Sequence, residues 1–66
     1  MSPAEKQQRR EDREQVLRII ASRGEFAWNP FRKDRLNRAA AELKSARTLR
    51  VRMRLDHDQV LLEKAP

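Results

Sequence analysis

No cysteine occurs among the 66 residues, so no disulfide can brace the fold and no thiolate can act as nucleophile or metal ligand. One histidine, His57, cannot build a multi-histidine metal site within one subunit. One glycine, Gly24, rules out a glycine-rich phosphate loop. No apolar run approaches the roughly 18 residues of a membrane span, so no membrane association is expected. The opening residues, Met1 to Lys6, lack the apolar stretch of a secretory signal, and a cytoplasmic location is expected. Ser2, Ser22 and Ser45 have no histidine nearby in sequence, and Asp56, His57 and Asp58 read as turn formers with an exposed imidazole. The expectation is a protein that is not an enzyme and holds no cofactor and no metal.

What the chain has in abundance is arginine. Lysine and arginine number 16 against 10 aspartates and glutamates, a net charge of +6. The location of that excess is more informative than its size. Residues 1–14 balance Lys6, Arg9, Arg10 and Arg13 against Glu5, Glu11, Asp12 and Glu14. Residues 32–54 set nine bases against Asp34 and Glu42, an excess of seven in one contiguous third. Twelve of the 16 bases are arginine, whose planar fork suits phosphate and guanine edges. Concentrated basic charge is the footprint of a polyanion binder, and a solubilising face is the alternative. A chain of this length forms one domain, residues 1–66, and buries only about 60% of its unfolded surface. Self-association is a common support for so small a core, so a homodimer is a candidate state.

Local signals place the elements. Ser2-Pro3-Ala4-Glu5 has the form of a helix start, with a cap, a first-turn proline and the acid of a capping box. Opposite charges follow at helical spacing: Glu5 with Arg9, Arg10 with Glu14, Glu14 with Arg18. Apolar residues begin only at Val16, Leu17, Ile19, Ile20 and Ala21, and Gly24 supplies a stop. Residues 1–14 thus form a charged helical extension that protrudes, packs on a partner or frays. Glu25-Phe26-Ala27-Trp28 reads as a short strand or extended connector, its aromatics filling the core or, if exposed, stacking on bases. Asn29-Pro30 repeats the cap-then-proline pattern and predicts a second helix to about Arg47, with Leu36, Ala40 and Leu43 as its inner stripe. Its outer face would carry Asp34, Arg35, Asn37, Arg38, Glu42 and Ser45.

Two features then point to anions. Arg32, Lys33 and Arg35 crowd the predicted helix start, where the dipole disfavours cations, as an anion-binding helix end would require. Asp34 and solvent screening could equally make that cost negligible. Thr48 to Leu55 alternates apolar residues with Arg50, Arg52 and Arg54. Such alternation predicts a strand with Leu49, Val51, Met53 and Leu55 inward and the three arginines in one outward row. The row repeats at about 6.8 Å, close to two phosphate steps of roughly 3.4 Å each along a DNA strand. Val60-Leu61-Leu62-Glu63 returns as the second strand of a hairpin, facing the core through Val60 and Leu62, after a loop of about three to five residues.

The order helix, short strand, helix, hairpin resembles an abbreviated winged helix-turn-helix domain, with one helix fewer than the full form. The stretch from Arg35 through Asp56 and on through Val60 to Lys64 looks like a recognition helix followed directly by a wing. The resemblance implies an α+β fold of two helices and a C-terminal hairpin, α-β-α-β-β. It also implies a recognition helix in the major groove and a wing on the backbone. Arg32, Lys33, Arg35, Asn37 and Arg38 fall on the recognition helix, and Arg50, Arg52 and Arg54 on the first wing strand. The expected function is therefore regulatory or accessory binding of duplex DNA. The alternatives are a protein-interaction module (adaptor or inhibitor) docking on an acidic partner, and binding of structured RNA.

Overall fold

The computed structural model describes residues 2–56 and 58–66, so Met1 and the predicted exposed imidazole of His57 lie outside the described residues. The chain is α+β, with α1 (Pro3–Arg23), β1 (Phe26–Trp28), α2 (Arg35–Ser45), β2 (Leu49–Arg54) and β3 (Val60–Lys64). The two helices pack on one side of an antiparallel sheet ordered β1-β3-β2.

α1 begins as its sequence dictates. Ser2 Oγ accepts a hydrogen bond from the Glu5 backbone N–H at 3.2 Å, and Pro3 occupies the first turn, where its missing N–H costs nothing. The helix ends at Gly24, whose φ of 84° is the left-handed conformation open to glycine without a Cβ penalty. Val16 and Ile20 lie one helical turn apart and are buried, with Leu17 and Ile19 packed beside them. Each buried side chain of this size stabilises the fold by about 1.5–3 kcal/mol. The alternating-charge reading of α1 holds only for Arg10 and Glu14, at 3.8 Å. Arg9 turns instead toward α2.

α2 starts five residues later than the Asn29-Pro30 pattern predicts. Asn29 heads a turn: its Oδ1 accepts from the Phe31 N–H at 2.9 Å, and its carbonyl accepts from the Arg32 N–H at 3.1 Å. The helix cap is Asp34, whose carboxylate accepts from the Asn37 N–H at 3.0 Å. Both residues can cap, and tertiary packing selects the second. Ala39, Ala40 and Leu43 are buried, and the small alanines let α2 approach α1 and the sheet closely. At its other end Thr48 N–H donates to Leu43 O at 2.9 Å and Arg47 N–H to Lys44 O at 3.0 Å. That pair of bonds is the Schellman closure, with Arg47 at the position that glycine normally takes.

The hairpin forms as expected, with a loop from Leu55 to Gln59 tied by Asp56 Oδ1, which accepts from the N–H groups of Asp58 and Gln59 at 2.8 Å each. Val60 and Leu62 face the core, as does Phe26, with Trp28 half-buried against it. β2 departs from its alternation. Of its apolar side chains only Leu49 is buried, while Val51, Met53 and Leu55 are 43%, 53% and 51% exposed. Val51 still pairs with the core residue Leu62 but sits uncovered on an edge strand, whereas a register shift pairs Met53 with Leu61 and turns Met53 and Leu55 to the other face. Arg52 is the extra residue of a β-bulge, and an inserted residue reverses which side chains face which way.

Candidate nucleic-acid interface

The bulge dissolves the outward row of arginines. Arg50 pairs with Glu63 and so lies on the sheet face away from the helices, whereas Arg54 pairs with the core residue Val60 and lies on the opposite face. Arg50 and Arg52 are moreover neutralised within the chain. Arg50 Nε meets Glu63 Oε2 at 2.6 Å, and Arg52 bonds Glu25 and reaches Glu63 Oε1 at 3.8 Å. These four side chains form an ion-pair lattice that joins β2, β3 and the residue just before β1. The alternating strand is thus a stabilising surface, and its predicted single-sided row is corrected.

The helix-start cluster is corrected as well. Arg32 and Lys33 precede α2 instead of lying on it, and Arg32 Nε is 3.7 Å from Asp34 Oδ2. The free N–H groups at the helix start are answered by the chain's own anion. Asp34 has its pKa lowered chiefly by the Asn37 N–H, with further help from the Asn37 side chain and the Arg32 charge. An external phosphate would compete with that carboxylate. Asn37, predicted on the outer face, is buried. Its Oδ1 accepts from the Asn29 N–H at 2.9 Å and its Nδ2 donates to Asp34 Oδ2 at 2.7 Å, so its buried amide is committed to the chain instead of a base edge. Asn37 pins the 29–34 connector to α2.

A different basic surface emerges along the seam of the two helices. Lys6, Arg9, Arg10 and Arg13 recur at three- and four-residue spacing and share one stripe of α1. They line a cleft of about 490 Å³ whose other wall is Glu42 of α2. Glu42 accepts from Arg13 Nη1 at 2.9 Å and lies 3.6 Å from Arg9 Nη1. On α2, Arg38 and Arg35 stand four and seven residues before Glu42 and continue its stripe. Both are exposed, and Arg35 leans toward the buried Asp12 at 3.8 Å. The seam therefore gathers five cations, Lys6, Arg9, Arg10, Arg13 and Arg35, around the half-buried Glu42 and the buried Asp12. Of the predicted residues it includes Arg35 alone, and Arg38 stands exposed on the outer face of α2. The α1 residues escaped sequence reasoning because the segment is neutral in sum, and only a helical wheel separates its cations from its acids.

Arg47 is a second residue without a sequence signal. Its φ of 64° is left-handed, and it forms no ion pair among the described residues. No protein-family model, no curated protein and no solved structure matches this chain. No helix among the described residues is long and apolar enough to cross a membrane.

Proposed function

We propose that the chain is a small duplex-DNA-binding protein of abbreviated winged-helix type that meets the phosphate backbone with its two-helix face. The observation that carries this reading is the convergence of Lys6, Arg9, Arg10, Arg13 and Arg35 along the α1–α2 seam. The sheet order β1-β3-β2 and the direct passage of α2 into the hairpin support the resemblance to winged helices. Phosphate contacts supply affinity, and Arg38, projecting from the outer face of α2, is the residue placed to reach a base edge. Log affinity for duplex DNA falls with log salt, with a slope of about −0.9 per phosphate contact. Arg35→Ala lowers that slope by about one contact, whereas Arg52→Ala, which removes an ion-paired residue of the sheet, leaves it unchanged. A flat salt titration, or equal effects of the two variants, rejects this interface.

A second reading, association of two copies through the sheet, is favoured by the cross-strand row Ala27–Leu61–Met53, which has no helix over it. The same face carries Arg50 and Arg52 with Glu25 and Glu63, and equal opposite charges make it self-complementary under twofold symmetry. Sedimentation of a dimer that Met53→Glu dissociates supports this reading, and a monomer at every concentration removes it.

A further inference from the structure

We infer that the α1–α2 cleft is a seat for a run of consecutive phosphates, in which Glu42 is a resident anion that the ligand displaces. Three observations converge. The cleft wall holds four cations against Glu42, and Glu14 stands 3.8 Å from Arg10, so two of the four positive charges are left uncompensated. Arg9 Nε is buried and meets no acceptor from the chain, which leaves a donor for a ligand oxygen. Glu42 itself engages Arg9 and Arg13 through Nη1 atoms and leaves the remaining guanidinium donors for a ligand oxygen.

The lining selects the ligand class. It contains no aromatic or apolar side chain on which a base or acyl chain could lie, only guanidiniums, an ammonium and a carboxylate. Arginine forks bind phosphate oxygens in pairs. Lys6 and Arg13 stand seven residues apart, about 10 Å along the helix axis, a span that accommodates two to three phosphates in series. A phosphodiester backbone and a free oligophosphate present the same chemistry. With the backbone as ligand this inference rests on the DNA-binding reading, and with a free oligophosphate it stands alone.

The exchange has a distinctive consequence. Removing a residue that binds ligand weakens binding, but removing the charge of a competing resident strengthens it. Titration of the ¹⁵N-labelled chain with tripolyphosphate, followed by NMR, is expected to give saturable 1:1 shifts led by the Arg9 Nε–Hε resonance. Lys6→Ala and Arg10→Ala, both at exposed positions away from the core, are expected to weaken binding about tenfold each, the loss of one charge-assisted contact. Glu42→Gln, checked for folding by circular dichroism, is expected to tighten it. Non-saturating shifts, indifference to Lys6 and Arg10, or weaker binding by folded Glu42→Gln overturns the inference. Tripolyphosphate binding without DNA binding removes the DNA reading and leaves the seat. DNA binding whose salt slope ignores Lys6→Ala and Arg10→Ala, with no tripolyphosphate binding, removes the seat and leaves the DNA reading.

Discussion

Asp34 and Asn37 are joined twice, by the Asn37 N–H to Oδ1 at 3.0 Å and by Asn37 Nδ2 to Oδ2 at 2.7 Å. The second oxygen of the pair, Asn37 Oδ1, reaches back across eight residues to the Asn29 N–H. A single amide side chain thus closes the connector between β1 and α2. Asn37→Ala strands the half-buried Asn29 N–H, while the exposed Asp34 carboxylate is left to water. The expected loss is about 1–3 kcal/mol, the cost of leaving a buried partner unsatisfied. Urea denaturation checks it, and an unchanged midpoint would show that the connector holds itself.

The same pair makes the fold sensitive to acid. Asp34 titrates below its ordinary value of 3.8, because the Asn37 N–H and the Asn37 amide favour its charged form. A depressed folded pKa gives stability that is fully present above the unfolded value and is lost as pH falls through the folded one. Stability should therefore be flat in this respect above about pH 5 and decline below pH 4. Asp34→Asn retains a capping side chain but cannot titrate, so it should remove this part of the acid limb. Thermal melts at pH 3 and pH 6 for both chains test the prediction. A difference that persists unaltered in Asp34→Asn assigns the limb to other carboxylates.

Arg47 holds a left-handed backbone that costs a residue with a Cβ about 1–2 kcal/mol relative to glycine. Arg47→Gly should raise stability by about 1 kcal/mol, offset partly by glycine's greater freedom when unfolded. Strained positions of this kind cluster at functional sites. The variant should therefore be more stable and bind duplex DNA less tightly. Higher stability with undiminished binding would make Arg47 a tolerated imperfection at a helix end.

Legibility from the sequence tracked the range of the interactions concerned. Ser2, Pro3 and Gly24 bound α1 through contacts within a few residues, and they mark its ends on the page. Val60 and Leu62 kept their alternation because β3 is the central strand, hydrogen-bonded on both sides and held in register. The start of α2 was ambiguous because Asn29 and Asp34 are both competent caps, and the choice depends on Asn37 becoming buried. The direction of Arg50, Arg52 and Arg54 was not legible, because nothing in an alternating strand marks which residue a partner strand will leave unpaired. A bulge exists only between two strands.

The amino-acid order alone determined the element succession, the two helix-end signals of α1, the core-facing residues of β3 and the surplus of arginine. Tertiary structure alone decided where that surplus acts. It cancelled Arg50 and Arg52 against Glu63 and Glu25 and brought Arg9 and Arg13 to Glu42, 33 and 29 residues away along the chain. The physical reason is that charge is counted along the chain, whereas the field a ligand meets depends on which opposite charges the fold places within a few ångströms.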